Sequence, residues 1–223
     1  MKYQIKQDLI TGLPQKSYTN GIGGYIGVCL HHTAPSSGKE DTDESNLKYF
    51  KDNWEKVQAF AHDFVDYDSI TNMADINYRA WAAGRKGNDL YVHIELCNTK
   101  DSAKFKESYS RYVWLAAYRL AQKKLGVEYG KTLVTHDWVS KNLGGTNHTD
   151  PVAYLASHGM SIEQLVKDIQ AEYNELMGGK QMNIDEALEK LDQKIGIDVK
   201  YWKGACDYVG YLRDLLIKIA KNI

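Results

Sequence analysis

Short apolar runs, several of them β-branched, alternate in this chain with longer stretches in which apolar residues recur at helical spacing. Runs of the first kind predict buried β-strands, and they cover residues 25–30, 61–66, 69–73, 91–97 and 132–135. Stretches of the second kind predict amphipathic helices, and they cover residues 45–60, 105–125 and 161–177. This alternation predicts an α/β fold, in which a mixed central sheet is flanked by helices on both faces.

Local signals predict how these elements begin and how they are joined. Ser45 stands at the start of the first helical stripe and is the candidate N-cap. Tyr67-Asp68 separates two of the strands and predicts a hairpin. The segments 81–88 and 139–151 contain turn-forming glycine and asparagine residues and are predicted to be loops.

A Gly178-Gly179 pair precedes a second, shorter unit. Asn183 with Glu186 three residues later forms a capping box, and two stretches of helical periodicity follow. Two helices in about 40 residues bury too little surface to fold readily alone. We therefore predict a main domain over residues 1–177, a linker over residues 178–182 and a helical C-terminal module over residues 183–223.

Composition argues against several classes of partner. The 28 lysine and arginine residues are balanced by 29 acidic residues, so no basic field recruits nucleic acid or an anionic membrane. No apolar run is long enough for a membrane span, and residues 1–8 have no apolar signal core, so we expect a cytosolic chain unless another agent releases it. Cys29, Cys97 and Cys206 fit no disulfide framework or paired-cysteine zinc motif, and we expect buried thiols.

Histidine and carboxylate residues lie at the ends of predicted strands. His31 follows the strand over 25–30, His136 follows the strand over 132–135, and Glu95 lies within the strand over 91–97. A catalytic zinc site needs neutral imidazoles held at rigid positions beside an open cleft, and strand ends provide such positions. Spacing alone does not decide the matter, because a single histidine is more often an ordinary surface or core residue.

Six sequence strings occur in the order in which they stand in one enzyme family. They are VCLHHTA at 28–34, AHDFVD at 61–66, AWAAG at 80–84, Asn88 followed by IELC at 94–97, VTHDW at 134–138 and TDP at 149–151. Over about residues 20–170 the chain thus resembles the type-2 N-acetylmuramoyl-L-alanine amidases, a family that includes phage endolysins, bacterial autolysins and peptidoglycan recognition proteins. Several ordered motifs are far more specific than any one of them.

The resemblance implies that His31, His136 and Asp150 bind Zn²⁺ and that Glu95 is the catalytic glutamate. Two imidazoles and one carboxylate, with water in the fourth position, make a hydrolytic zinc site. His148 stands where many relatives have a lysine that stabilises the oxyanion, so it is the second candidate catalytic residue. His148 is also the alternative third zinc ligand.

Trp81, His62 and His93 are the predicted substrate-binding residues. Trp81, with Gly84, is expected to form a wall of the groove, because an aromatic face suits a sugar or a peptide stem. His93 shares the face of Glu95, and His62 is placed in a strand near the cleft; for all three, a packing role is the alternative. His32 is expected to point away from His31 and to be structural, because side chains alternate along a strand.

The implied reaction is hydrolysis of the bond between the lactyl group of N-acetylmuramic acid and the first L-alanine of the stem peptide. A phage or prophage endolysin is favoured over an exported bacterial autolysin, which places the protein in the host cytoplasm until lysis and then at the cell wall. Two further alternatives are a non-catalytic peptidoglycan-binding module and a zinc peptidase that cuts within the stem peptide.

The C-terminal module has two possible roles. Its aromatic residues Tyr201, Trp202 and Tyr208 are candidates for binding wall polymer, and its apolar faces are candidates for pairing with other copies. Residues 177–182 can be encoded by a purine-rich stretch that resembles a ribosome-binding site ahead of Met182. A fragment starting at Met182 would then join full-length chains in a hetero-oligomer.

Overall fold

The structure is a computed structural model that describes residues 2–35, 38–178, 184–208, 216–217 and 219–220. The chain divides into two compact units, Met1–Leu176 and Met177–Ile223. None of the described helices is both long enough and apolar enough to cross a membrane. The functional roles of the two units stay predictions.

The first unit is built on a sheet in which the described residues form six strands. In chain order these are β1 Lys6–Gln7, β2 Gly27–His32, β3 Asp63–Val65, β4 Ile70–Asn72, β5 Tyr91–Leu96 and β6 Leu133–Thr135. Their order across the sheet is β1-β4-β3-β5-β2-β6. The β3–β4 pair is antiparallel and the other pairs are parallel, so the sheet is mixed.

Helices cover both faces of this sheet. In chain order they are α1 Asp43–Val57, α2 Gly84–Asn88, α3 Ser102–Gln122, α4 His136–Asn142, α5 Val152–Ser157 and α6 Ile162–Leu176. Val65 packs in the main core with α3 and α6, whereas its neighbour Phe64 packs with Leu47 of α1. Since successive residues of a strand face opposite sides, α1 and α3 lie on opposite faces. The predicted α/β class, with a mixed sheet between helices, is confirmed.

The main core explains why α3 is well predicted from the sequence. Tyr112, Trp114, Leu115 and Leu120 of this helix are completely buried against the sheet strands and α6. The predicted hairpin is also confirmed, because β3 and β4 pair with Val65 opposite Ile70.

The structure corrects the predicted start of the first helix. Thr42 is the N-cap of α1, with its hydroxyl accepting from the backbone N–H of Ser45, while the Ser45 hydroxyl accepts from the N–H of Thr42. Thr42 has the extended backbone that an N-cap requires, and Ser45 already lies inside the helix as the reciprocal residue of a capping box.

Both predicted loops contain short helices. In the segment 81–88, α2 is preceded by a turn that the side chain of Asn88 stabilises, because its amide oxygen Oδ1 accepts from the backbone N–H groups of Ala82 and Ala83. The segment 139–151 begins inside α4, which starts directly after β6 because the Thr135 hydroxyl accepts from the N–H of Trp138. The two-residue strand β1 was not predicted, because both of its residues are exposed and carry no apolar signal.

The second unit contains α7 Ile184–Ile195 and α8 Val199–Tyr208. Its core is formed by Ala187, Leu188 and Leu191 with Leu216 and Ala220. The predicted cap Asn183 and the fragment start Met182 lie outside the described residues.

Candidate metal centre

Sheet register brings the predicted site residues together at one edge. β5 and β2 are parallel, with His31 opposite Glu95, and β2 pairs with β6 with Leu30 opposite Thr135. His136 is the next residue after Thr135 and therefore lies beside His31. The carboxyl ends of parallel strands are a common location of ligand sites in α/β proteins.

Asp150 reaches the same place from a loop. Its backbone carbonyl accepts a hydrogen bond from the N–H of Asp137, in the first turn of α4, at 3.1 Å. Its carboxylate accepts from the N–H of His32 at 3.2 Å. These two bonds fix Asp150 between β2 and α4, and so next to both histidines.

The donor atoms of three residues converge here. His31 Nδ1 and His136 Nδ1 are 3.0 Å apart, His136 Nδ1 is 3.1 Å from Asp150 Oδ1, and His31 Nδ1 is 3.4 Å from Asp150 Oδ2. Zinc bonds of 2.0–2.2 Å place neighbouring ligands of a tetrahedron about 3.3 Å apart. The spacing and the chemistry of this donor set therefore fit a single zinc ion.

The remaining nitrogens of both rings are held by other side chains. His31 Nε2 lies 2.9 Å from His93 Nδ1, and His136 Nε2 lies 2.8 Å from the Thr146 hydroxyl. The Tyr112 hydroxyl donates to the backbone carbonyl of His31 at 2.7 Å. Such outer partners orient metal-binding histidines and fix which nitrogen carries the proton.

Electrostatics favour the protonation states that a metal requires. Burial lowers the pKa of His31, which keeps its imidazole neutral. Burial alone would raise the pKa of Asp150, but hydrogen bonds from His136 and His31 outweigh it and lower that pKa well below its usual value. The site thus combines a neutral ring with an ionised carboxylate.

Glu95 stands beside these donors at the floor of an open cleft. Burial raises the pKa of Glu95 well above its ordinary value, and the negative charges of Asp150 and Asp41 raise it further. Its Oε2 atom is buried and has no hydrogen-bond partner among the described residues. A carboxyl group with a raised pKa and a free oxygen is suited to accept and return a proton.

The cleft itself has a volume of about 230 Å³. Its lining comprises His32, Thr33, Ala34, Phe50, Ala59, Phe60, Ala61, Trp81, Ala82, Glu95, His136, His148 and Asp150. Trp81 is half-buried, and its ring centroid lies 5.6 Å from that of Phe60. Trp81 therefore forms part of the wall where the sequence placed it.

A family model for N-acetylmuramoyl-L-alanine amidase matches residues 25–153, a range that contains the three donor residues, Glu95 and His148. This chain belongs to the N-acetylmuramoyl-L-alanine amidase family. The family and the enzyme class predicted from the ordered motifs are thus confirmed.

Individual amidase relatives support the assignment. The chain is 37% identical over 180 residues to the bifunctional autolysin of Staphylococcus aureus, a match that covers 78% of this chain and 14% of the autolysin. It is 36% identical to Staphylococcus aureus hydrolase AmiA in complex with its ligand, with a TM-score of 0.74 and coverage of 78% of this chain and 85% of AmiA. The chain therefore spans a small part of the curated relative and most of the solved hydrolase.

A more distant structure shares the fold. A mutant endolysin from Bacillus subtilis is 18% identical, with a TM-score of 0.58 and coverage of 75% of this chain and 99% of the endolysin. At this low identity, the similarity is evidence for the fold only, and not for function.

His148 lies at the rim of the amidase cleft. Its side chain is 67% exposed, and its Nδ1 is 3.7 Å from Asp150 Oδ1. Its ring stacks on that of His136 at 4.7 Å. Because Asp150 contacts both buried nitrogens and His148 contacts neither, the distances favour Asp150 as the third ligand, although this choice stays a prediction.

His62 and His93, two of the predicted substrate-binding residues, do not line the cleft. The side chains of His62 and His93 are completely buried, so neither lines the cleft surface and the predicted contact with substrate is not supported. The reason is the register: His93 stands opposite Cys29, two residues below the strand end that carries Glu95. His32 does point away from His31, and its ring stacks on that of Tyr154 at 3.7 Å.

A second group of metal-binding atoms shares His31. Cys29, His31 and His93 also offer ligand atoms within 4.8 Å of one another. Burial raises the pKa of the Cys29 thiol well above its usual value, which disfavours the thiolate that binds metal. His31, His136 and Asp150 are therefore the better candidate group, and their role as metal ligands stays a prediction.

Sequence reasoning missed two residues that support this centre. Thr146 carried no motif, although it lies in the same loop as His148. Tyr112 belongs to the apolar stripe of α3, and its hydroxyl showed no sign of a polar partner until the contact with His31 was visible. Hydroxyl groups of this kind are recognised only when the fold brings their partners close.

Proposed function

We propose that this chain binds one Zn²⁺ through His31, His136 and Asp150 and hydrolyses the amide between N-acetylmuramic acid and the L-alanine of the stem peptide in bacterial peptidoglycan. The observation that carries this proposal is the convergence of three donor residues, with contacts of 3.0 to 3.4 Å between their nitrogen and oxygen atoms, beside the unpartnered carboxyl oxygen of Glu95. Family membership supplies the reaction class.

Zinc held by these residues would supply Lewis-acid chemistry, which polarises a carbonyl and makes water more acidic, with a pKa of about 7. Glu95 is the residue that accepts a proton from the attacking water and passes it to the leaving amine. Its raised pKa suits this exchange, because an ordinary glutamate, with a pKa of about 4.3, is too weak a base to accept a proton readily near neutral pH. No other carboxyl group besides Asp150 lines the cleft among the described residues.

His148 is proposed to stabilise the oxyanion of the tetrahedral intermediate. Its exposed ring lies at the rim, next to His136, where a ring N–H can face a substrate in the cleft. Trp81, which also lines the cleft, is proposed to pack against the sugar or the peptide stem.

The test combines zinc content with lysis of purified walls in the full-length protein. We expect Asp150→Ala to lose zinc, whereas Glu95→Gln and His148→Ala keep zinc and lose lysis by at least tenfold. Glu128→Gln, a change at an exposed glutamate, is the matched control and should keep both. If His148→Ala loses the metal and Asp150→Ala keeps it, the third ligand is His148.

The product distinguishes the alternatives. An amidase releases stem peptides with N-terminal alanine, which end-group labelling detects, whereas a zinc peptidase exposes other termini. A wild-type protein that binds zinc and walls but releases no new termini would support the non-catalytic peptidoglycan-binding module.

The biological role is proposed to be that of a phage or prophage endolysin, with a bacterial autolysin as the alternative that the 37% identity to the Staphylococcus aureus autolysin favours. Expression of the chain inside a susceptible host separates them. Lysis only after the cytoplasmic membrane is permeabilised supports an endolysin, and lysis without permeabilisation supports an exported autolysin.

The second unit is proposed to bind wall polymer or to pair with other copies. Tyr201 is 67% exposed and is the described aromatic residue best placed for a wall contact. If the module targets the wall, the Tyr201→Ser variant should bind purified cell walls more weakly than the wild type when both proteins are free of zinc. Sedimentation and intact mass of the purified protein test the alternative, in which a fragment starting at Met182 forms a hetero-oligomer.

A further inference from the structure

His31 uses its two ring nitrogens in opposite directions. Nδ1 faces His136 and Asp150, whereas Nε2 lies 2.9 Å from Nδ1 of His93. The His31 and His93 residues are 1% and 0% exposed, so no water competes for this bond at the surface. The bond therefore ties a candidate metal ligand to a ring inside the protein.

His93 is in turn anchored by His62. The backbone N–H of His93 donates to His62 Nδ1 at 2.9 Å, and the two rings are parallel within 1° at a centroid distance of 5.8 Å. Because His62 Nδ1 accepts this bond, its proton lies on Nε2, which donates to the carbonyl of Tyr78 at 2.9 Å. The Tyr18 hydroxyl adds a further contact at 3.0 Å.

Metal binding at His31 Nδ1 dictates where the protons lie in this row. A neutral imidazole that offers Nδ1 to a metal carries its proton on Nε2. That proton needs an acceptor, and His93 Nδ1 is in place to be one. His93 must then carry its own proton on Nε2, an atom that is buried and has no partner among the described residues.

Packing alone does not explain a histidine at position 93. A buried polar ring with one unpaired nitrogen is destabilising compared with an apolar side chain of similar size. The compensating role lies in the other nitrogen, which contacts a candidate ligand of the metal.

We propose that His93 is a positioning residue that accepts the Nε2 proton of His31 and so holds the tautomer and ring orientation in which His31 Nδ1 faces the zinc. The inference rests on the proposed function, because it assigns the zinc to His31, His136 and Asp150. His62 holds the backbone of His93 in place for this role. The two buried histidines that the sequence assigned to substrate thus act on the metal instead.

The test measures zinc affinity by competition with a chromogenic chelator in three full-length variants. His93→Leu removes the acceptor and is expected to raise the zinc Kd by about 10–100-fold, the usual loss for an outer partner of a ligating histidine. His93→Asn places an amide oxygen near the position of Nδ1 and should restore the Kd to within about threefold of wild type. His158→Leu is the matched control, since His158 bonds to the carbonyl of Thr99 and stacks on Phe105.

Stability is measured on the zinc-free proteins in parallel. A purely structural role predicts that His93→Leu lowers the melting temperature without changing the zinc Kd, and that result overturns the proposal. Equal losses of affinity in His93→Leu and His93→Asn overturn it as well. If the wild-type protein itself binds no zinc, the proposed function fails before this inference is reached.

Nuclear magnetic resonance of the wild type gives an answer that needs no variant. In the zinc-loaded protein, long-range ¹H–¹⁵N correlations should show the ring proton of His93 on Nε2 and that of His31 on Nε2. A His93 ring protonated on Nδ1 cannot accept from His31 and contradicts the proposal, even if His93→Leu fails to fold.

Discussion

Arg119 and Asp63 form an ion pair that is almost completely withdrawn from water. Two nitrogens of the guanidinium reach the two carboxylate oxygens at 2.9 and 2.7 Å, and the side chains are 4% and 0% exposed. Removal of one partner leaves the other charge buried and uncompensated. We therefore expect Arg119→Met to lower the free energy of unfolding by about 3–5 kcal/mol, as measured by urea denaturation.

The exposed pair of Lys48 and Asp52 is the control for this prediction. Its side chains are 81% and 60% exposed, so Lys48→Met should change the free energy of unfolding by less than about 0.5 kcal/mol. Similar small effects at both sites would contradict the importance of burial for the Arg119 pair.

Asp43 gives the protein a pH-dependent stability. Burial, followed by contact with the Glu44 carboxyl, raises the pKa of Asp43 to about 7, although Thr71 and Ser69 donate to it. In the unfolded chain an aspartate has a pKa near 4, so the folded state holds the proton more tightly. The stability from this group is full below about pH 4 and is lost as the pH rises toward 7, at no more than about 1.4 kcal/mol per pH unit.

The variant Asp43→Asn isolates this effect. Its amide stays neutral and can donate to Glu44, so its stability should not fall between pH 5 and 8 as steeply as that of the wild type. The free energy of unfolding of the wild type and of Asp43→Asn should be measured at pH 5 and at pH 8, and the difference between the two proteins compared at the two pH values. A constant difference would mean that Asp43 does not titrate in this range.

Among the elements, the sequence predicts those that contain either an apolar stripe at helical spacing or a short run of mostly apolar residues. β2 and β5 are buried strands rich in apolar residues, and α3 is a helix of 21 residues with an apolar stripe. The short helices α2, α4 and α5 have five to seven residues, too few to repeat a pattern. A side-chain cap, that of Thr135, begins α4, whereas α2 and α5 begin without one. Strand β1 is defined by its partner β4, a long-range contact that no local pattern contains.

Gly84, the first residue of α2, packs closely against Gly145 in the loop that carries Thr146 and His148. It has a φ of 67°, and a Cβ there would lie 2.6 Å from the carbonyl oxygen of Gly145. Gly84→Ala therefore combines left-handed strain with displacement of the loop that carries Thr146 and His148. We expect a loss of about 2–4 kcal/mol in stability, together with weaker wall lysis.

Gly126→Ala separates the two causes. Gly126 has a similar φ of 70°, but a Cβ there would meet nothing within 4 Å. This variant should cost about 1–2 kcal/mol from strain alone and should keep lysis unchanged. Equal effects of Gly84→Ala and Gly126→Ala on lysis would show that the close contact between Gly84 and Gly145 is unimportant for activity.

For the whole molecule, zinc binding should act as a source of stability. A ligand that binds the folded state alone adds about 2.7 kcal/mol at one hundred times its Kd. Zinc should thus raise the melting temperature of the first unit, Met1–Leu176, by about 5–10 °C, and a chelator should reverse this increase. His31→Ala should abolish the response, and Mg²⁺, which prefers oxygen ligands, should not produce it. A melting temperature insensitive to zinc would contradict the metal centre.

The sequence predicts some residues of the site but not others. Ordered motifs indicated His31, Glu95, His136 and Asp150, because the family pattern fixes the residue types at these positions. The burial of His62 and His93 was not predictable, since it depends on how far each residue lies below the sheet edge. The support from Thr146 and Tyr112 depends on contacts between segments that are distant in sequence.

The distances along the chain between the centre's residues also govern how the protein is made. His31 and His136 are 105 residues apart, and the bond from His32 to Asp150 spans 118 residues. A chain emerging from the ribosome therefore completes β2 long before β6 and the Asp150 loop exist to pair with it, and pairing across such separations is slow. A zinc site of the proposed composition would therefore be complete only after residue 150 has been synthesised, when the residues of β2, β5 and β6 have all been made.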